Sequence, residues 1–260
     1  MKLSKKVGLI WLKLTLKKIS NRLQKIDSMI STNYQSIWDC CCDHGLLGLT
    51  LLKRKAANTI HFVDIVQSLT AHLESLLQKH FSNEDFAQRW QVHCTDVIKI
   101  PITAQDKQLI IIAGVGGELL IKFIEDLIKQ FFEMSLTKPT IEVEFILCPV
   151  HYNYQVRQAL IKNNCLLVNE YIVIENKRFY EVIHVKKQFS VSSSFPDPLQ
   201  SISPIGNTMW DLSIKLHQQY LTETISHYQR ILLSGKADEQ ITVNHIIEQY
   251  SALISSTINE

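Results

Sequence analysis

Residues 38–49 read WDCCCDHGLLGL, between one apolar run and a second, helix-like one. Three adjacent cysteines, an acid, a histidine and a glycine fit a metal site, a redox site or a ligand-binding turn. Adjacent residues on a strand point to alternate faces, so the three thiols cannot all meet one partner. Zinc needs separated thiolates or imidazoles arranged tetrahedrally, whereas Cys40, Cys41, Cys42 and His44 are cramped, with no second ligand pair nearby in sequence. Free cysteine otherwise packs as a small hydrophobe. The stretch therefore reads as strand, turn and helix: SIWDC (36–40), then LLGLTLLKRKA (46–56).

The alternation continues downstream. TIHFVDI (59–65) and WQVHC (90–94) are strands, the first reaching Asp64 and the second followed by Asp96. Residues 67–80 carry leucines at helical spacing between them. QLIIIAG (108–114) is an unbroken apolar run, the mark of a strand covered on both faces. Leu120, Phe123, Ile124, Leu127 and Phe131 predict a long amphipathic helix, IEVEFILC (141–148) a fifth strand, and 152–163 a short helix. The pattern then changes. LLVNEYIVIENKRFYEVIHVKK (166–187) holds two β-rich runs with no room for a crossover helix, hence a hairpin. SVSSSFPDPLQSISPIG (190–206) has the composition of a surface loop, and 210–233 and 240–256 read as helices. The expected fold is α/β, a doubly wound, mostly parallel seven-stranded sheet of Rossmann-like type, with a basic N-terminal helix and C-terminal helices. One domain is expected over residues 1–190 and a loop with a helical extension over 191–260.

The 260 residues carry a formal net charge of +2, which hides an asymmetry. Lys2, Lys5, Lys6, Lys13, Lys17, Lys18, Arg22 and Lys25 are unopposed by any acid in the first 25 residues, leaving 19 basic and 25 acidic residues beyond them. Leu12, Leu16, Ile19, Leu23, Ile26 and Ile30 form the apolar stripe of an amphipathic helix whose lysines face largely the other way. Such a face suits phosphate backbones, and is equally a solvated helix surface. Aromatic anchors for a membrane-surface helix are few, and no apolar run approaches the roughly 20 residues of a membrane span. The basic start lacks an apolar region followed by a cleavage site, so no secretory signal is expected. Six cysteines in this arrangement fit a reducing, cytoplasmic setting.

Right-handed crossovers place the ends of all five parallel strands on one sheet edge, where such folds bind ligands. Asp39, Asp43, Asp64 and Asp96 fall there. Asp64 is placed to accept ribose hydroxyls and Asp96 to lie near an adenine. The turn lacks the GxGxxG that accommodates a pyrophosphate at a helix N-terminus. Its acids instead suit a cofactor with a cationic centre and an ammonium group, as S-adenosylmethionine has. At the fourth strand end, AGVGG (113–117) permits close approach of a substrate, or simply makes a strand-to-helix turn. The Asn/Asp-Pro-Pro-aromatic stretch common in exocyclic amine methylation is absent there. His44 serves equally as a cap on its loop or as a catalytic group. Cys148, in LCP (147–149), is a lone cysteine before a proline and too little for a nucleophile.

Taken together, these elements resemble the bacterial tRNA adenine-22 N1-methyltransferases of the class I S-adenosylmethionine-dependent fold. The family's first loop is matched at Asp39, Asp43, His44, Gly45 and Leu47, and its Ala-Gly-Met-Gly-Gly motif by AGVGG, with Val115 for methionine. Pro149 and Arg157 are retained after the fifth strand, and EYIVIENKRFYEVI (170–183) resembles the family's hairpin. Cys41 stands where the family has glycine, and Cys148 where it has a polar residue. The likeness runs over about residues 12 to 210. It implies a cofactor site of Asp39, Cys41, Asp43, Gly45, Asp64, Asp96, Ala113 and Gly114. It places Asp43, His44, Gly116 and Gly117 at the reacting centre, and sets Lys13, Lys17, Lys18, Arg22 and Arg157 on the RNA. The partner expected is tRNA, for a monomer or weak dimer. The alternatives are a methyltransferase on another substrate, a catalytically silent RNA-binding protein and, more distantly, a dinucleotide oxidoreductase.

Overall fold

A computed structural model describes residues 19–31, 34–104, 107–137, 140–190, 200–234 and 237–258. Lys13, Lys17, Lys18 and most of the basic N-terminal stripe lie outside the described residues. What is described of that helix is α1 (Asn21–Met29), which Ser20 caps through its hydroxyl, accepting from the Leu23 amide.

The strands are β1 (Tyr34–Cys40), β2 (Ala57–Asp64), β3 (Trp90–Cys94), β4 (Gln108–Ala113), β5 (Thr140–Cys148), β6 (Leu166–Glu175), β7 (Arg178–Ser190) and β8 (Gln200–Ser201). They form one sheet in the order β3-β2-β1-β4-β5-β7-β6-β8. β1 pairs in parallel with both β2 and β4, so the winding reverses between β1 and β4. That switch point opens a crevice beyond the strand ends. β7 is antiparallel to β5, and β6 to β7. The sheet has eight strands where seven were expected. The extra one pairs only Leu166 with Ser201 and Leu167 with Gln200, and a two-residue polar strand leaves no period in the sequence.

Both sheet faces are covered, as the apolar run of β4 required. Ile110 and Ile112 pack with Leu120, Ile124, Leu127 and Phe131 of α4 (Gly117–Ser135). Leu109 and Ile111 share the opposite core with Ile26 of α1, Leu51 of α2 (Leu46–Lys53) and Leu73 and Leu77 of α3 (Gln67–His80). Each such side chain contributes about 1.5–3 kcal/mol when fully buried. Under β1–β3, Trp38 stacks on His61 with ring centroids 3.8 Å apart, and His61 Nδ1 lies 3.0 Å from His93 Nε2. Burial, helped by His93, depresses the His61 pKa to about 3, so this pair is held neutral.

After α5 (Asn153–Lys162) and the hairpin, α6 (Lys215–Ser234) and α7 (Ala237–Ile258) bury Leu221, Tyr228, Val243, Ile246 and Tyr250 together with Tyr154 of α5. Among the described residues no helix is long and apolar enough to cross a membrane.

Candidate active site

The turn after β1 is built from left-handed backbone. Cys41, Asp43 and Gly45 have φ of 56°, 51° and 66°. Only glycine adopts that region freely, so Cys41 holds a strained position. Polar bonds fix the turn: the Cys42 amide donates to the Val63 carbonyl (3.1 Å), the Gly45 amide to Cys42 (2.7 Å) and the Asp43 amide to Asp64 Oδ2 (2.9 Å). Gly45 and Gly48 are required sterically. A Cβ on Gly45 would stand 2.8 Å from Leu73, and one on Gly48 would stand 2.3 Å from Phe62.

Asp39 is buried and accepts from the Gly48 amide (2.8 Å), binding strand end to helix start. Burial pushes its carboxyl up to about 7; nearby Asp64 adds to the rise, while the Gly48 bond opposes it. Asp64 accepts from the Val66 amide as well (2.9 Å), and its carboxylate retains further acceptor capacity. Asp96 caps the 3₁₀ turn Val97–Lys99, accepting from Ile98 (3.2 Å), and the Thr95 amide donates to the Asp64 carbonyl (3.0 Å). Ile65, 69% exposed, and Val66 present apolar surface directly beside Asp64. Sequence reasoning passed over both, although apolar residues immediately after a strand-end acid are a readable signal. Asp43 and His44 sit at the exposed tip, 3.7 Å apart.

Burial, reinforced by Asp64, Asp39 and Asp96, pushes the Cys41 thiol up to about 12, and burial likewise raises Cys40 and Cys42. Without a metal to lower their pKa, the three thiols stay protonated at neutral pH. Among the described residues no group of three or more histidine, cysteine or acidic side chains is placed to hold one.

Across the switch point, the β4 and β5 ends are joined by the Gly114 amide donating to Cys148 (3.0 Å) and Val150 to Val115 (2.9 Å). Gly114, at φ 85°, makes the turn. A Cβ on Gly116 would lie 3.0 Å from the His151 ring, and one on Gly117 2.5 Å from Tyr152 Cβ and 2.6 Å from the His151 carbonyl. Those two glycines thus admit the loop after β5, whose His151 and Tyr152 are exposed. Sequence reasoning missed both side chains, because nothing local ties 151–152 to 116–117.

Two basic residues are placed differently from expectation. Arg22 does not extend into solvent from α1. Its guanidinium lies 4.5 Å from the Tyr180 ring centroid and 3.7 Å from Glu175 Oε1. Its Nη1 is 3.8 Å from where a Gly114 Cβ would be, at the β4 end of the crevice. Arg157, expected on the RNA, is fully buried: Nε donates to Glu181 and Nη1 to Glu170, both at 2.7 Å. Tyr220 donates to the other Glu181 oxygen (2.6 Å), and Arg157 Nη1 also reaches the Ser203 carbonyl (3.4 Å). Arg157 therefore joins α5, the hairpin and the segment before α6, and no phosphate can reach it.

A doubly wound sheet with successive acids at its parallel strand ends, facing a glycine turn, defines a Rossmann-like α/β protein with its ligand crevice at the switch point. The chain belongs to the methyltransferase domain family, whose model matches residues 19–183. Among solved structures, it is similar to M. capricolum TrmK in complex with S-adenosyl-homocysteine (16% identity, 91% of this chain and 98% of that one, TM-score 0.69). It is similar to the B. subtilis m1A22 tRNA methyltransferase TrmK (20% identity, 91% and 99%, TM-score 0.69). A putative tRNA (m1A22) methyltransferase of Streptococcus pneumoniae gives 18% identity, 90% and 98% coverage and a TM-score of 0.68. These likenesses establish the fold over nearly the whole chain. No match was found among curated proteins.

Proposed function

We propose that this methyltransferase uses S-adenosylmethionine to methylate N1 of an adenine in tRNA. The observation that carries the reading is the single crevice edge shared by Asp39, Asp64 and Asp96 with Gly114, cross-linked by Asp64 bonds to the Asp43 and Val66 amides. The side chains suit the cofactor's chemistry. Asp64 retains acceptor capacity for ribose hydroxyls, Ile65 and Val66 offer apolar surface to an adenine ring beside Asp96, and Asp39, Asp43 and Gly45 shape the region for an ammonium-bearing tail. Ala113 and Gly114 form the wall shared by cofactor and substrate. When bound, the cofactor supplies an electrophilic methyl group.

Adenine N1 carries a lone pair and needs no general base. This chain's work is therefore to hold the base in line and close, an effect worth up to about 7–11 kcal/mol in well-oriented systems. Gly116 and Gly117 set the floor of the acceptor side by admitting His151 and Tyr152. Methylation leaves the base cationic, and the exposed Asp43 carboxylate, with His44 3.7 Å away, stabilises that charge. N1 lies on the pairing edge, so the base must be unpaired or flipped to enter. Lys13, Lys17 and Lys18 supply positive charge for the RNA backbone, and Arg22 acts at the acceptor wall.

The test is methyl transfer to unmodified bacterial tRNA with mapping of the product. Transfer to an adenine N1 is expected. Cofactor binding without transfer to tRNA at micromolar enzyme defeats the substrate assignment. Binding of tRNA with no saturable cofactor binding favours a silent RNA-binding protein, the reading that the strained Cys41 motivates.

A further inference from the structure

We propose that the tip of the β6–β7 hairpin, Lys177 with Arg178, grips RNA phosphates beside the base-entry side of the crevice. The inference deepens the tRNA reading and rests on it.

Glu175 pairs with Arg178, so the connection is the two-residue turn Asn176-Lys177. Both residues have positive φ, 48° and 62°. This is the backbone of a type I′ turn, which takes Asn-Gly by preference because the second position, like the first, is left-handed. Asparagine tolerates that region; a lysine there is strained, and glycine would relieve it. A long cation is kept where the backbone alone calls for no side chain. Strain held at an exposed tip points to a use for the group that causes it.

The position of the tip says what the use is. β6 runs antiparallel to β7, and β7 to β5, so the turn emerges at the same edge as the ends of β4 and β5. Arg22 bridges the two, touching Glu175 and Tyr180 of the hairpin and facing Gly114. Asn176, Lys177 and Arg178 are all exposed. Arg54 and Lys186, by contrast, are paired with Asp27 and Glu142. Among the described residues neither Lys177 nor Arg178 is in an ion pair. Behind the tip, a groove of about 460 Å³ runs between α1 and β6, with Asn21, Gln24, Lys25 and Ser28 facing Ile172 to Ile174. Exposed cations with no carboxylate partner, at the edge where β4 and β5 end, fit a nucleic-acid backbone. A membrane patch would need apolar groups at the tip, and Asn176, Lys177 and Arg178 provide none.

The experiment measures unmodified tRNA binding across a salt series, thermal melting, and S-adenosylhomocysteine affinity for wild type, Lys177→Gly, Lys177→Arg and Arg178→Gln. Lys177→Gly should raise Tm by about 2–4 °C as the turn relaxes. It should also weaken tRNA binding, with the slope of log K against log salt reduced by about 1. Arg178→Gln should weaken tRNA binding without the rise in Tm, Lys177→Arg should match wild type, and cofactor affinity should not move. Wild-type tRNA affinity and salt slope in both Lys177→Gly and Arg178→Gln would overturn the inference. A wild-type protein with no tRNA affinity removes the underlying tRNA reading as well.

Discussion

The turn after β1 (41–45) and the loop after β5 (149–152) leave parallel strands at the same sheet edge, but different forces hold them. The first is tied by carboxylates and amides: Asp64 to Asp43 and Val66, Asp39 to Gly48. The second is seated mainly by shape, with His151 and Tyr152 fitted against Gly116 and Gly117, one backbone bond from Val150 and a long, exposed His151–Glu118 contact at 3.9 Å. Directional bonds to charged oxygens hold one geometry, whereas a contact of surfaces yields when volume changes. The cofactor half of the crevice should thus respond to altered charge and the acceptor half to altered bulk.

The largest effect should come from behind the acceptor half. Arg157→Ala leaves Glu170 and Glu181 buried without their cation, and should lower stability by about 3–5 kcal/mol, read as a shift of the urea midpoint.

On the cofactor side, Asp39→Asn should give the opposite sign. The Asp39 pKa is raised in the fold to about 7, so its contribution is full below the unfolded value of about 4 and lost as pH rises through 7. The amide keeps an acceptor for Gly48 and removes that loss. Asp39→Asn should be more stable than wild type at pH 8 by up to about 4 kcal/mol, with the gain vanishing below about pH 4, while cofactor affinity falls. His61 acts in the other direction. With its folded pKa depressed to about 3, stability is present above about 6.5 and lost as pH falls below it. A His61→Gln melting curve flatter than wild type between about pH 6 and 4 would confirm that source of acid sensitivity.

Gly117→Ala tests the acceptor half by volume alone. The added methyl meets Tyr152 Cβ at 2.5 Å. It should cost about 1–3 kcal/mol and lower kcat while S-adenosylhomocysteine affinity stays constant. Equal losses in both would mean that the halves are not separable. The smallest effect should be that of Cys41→Gly, which relaxes a φ of 56°. A gain of about 1 kcal/mol is expected, with tighter cofactor binding as the side chain leaves the turn.

The fold was legible because its signals are local. The apolar run 108–114, the acids at 39, 64 and 96, and the two β runs of the hairpin each state their own element, and alternation orders them. β8 was not, because two residues carry no period. Arg157 misled because its partners, Glu170 and Glu181, lie 13 and 24 residues away on two strands. A guanidinium that balances buried carboxylates looks in sequence like one that faces solvent. Arg22 was expected on the RNA, but its guanidinium lies on the Tyr180 ring, with Nη1 toward Gly114. The Gly116–Gly117 pair was read as room for substrate or as a strand-to-helix turn; the structure also packs the loop from β5 against it, which no spacing within 113–117 could reveal.

The account rests on one crevice binding one cofactor, and calorimetric titration of S-adenosylhomocysteine into wild type and Asp64→Ala tests it most directly. Asp64 bonds the Asp43 and Val66 amides, and in the proposed function its remaining lone pairs meet the ribose, so saturable binding to wild type and at least a hundredfold loss (about 2.7 kcal/mol) in a folded Asp64→Ala protein are expected. No heat with folded wild type, or equal affinity in both proteins, would contradict it.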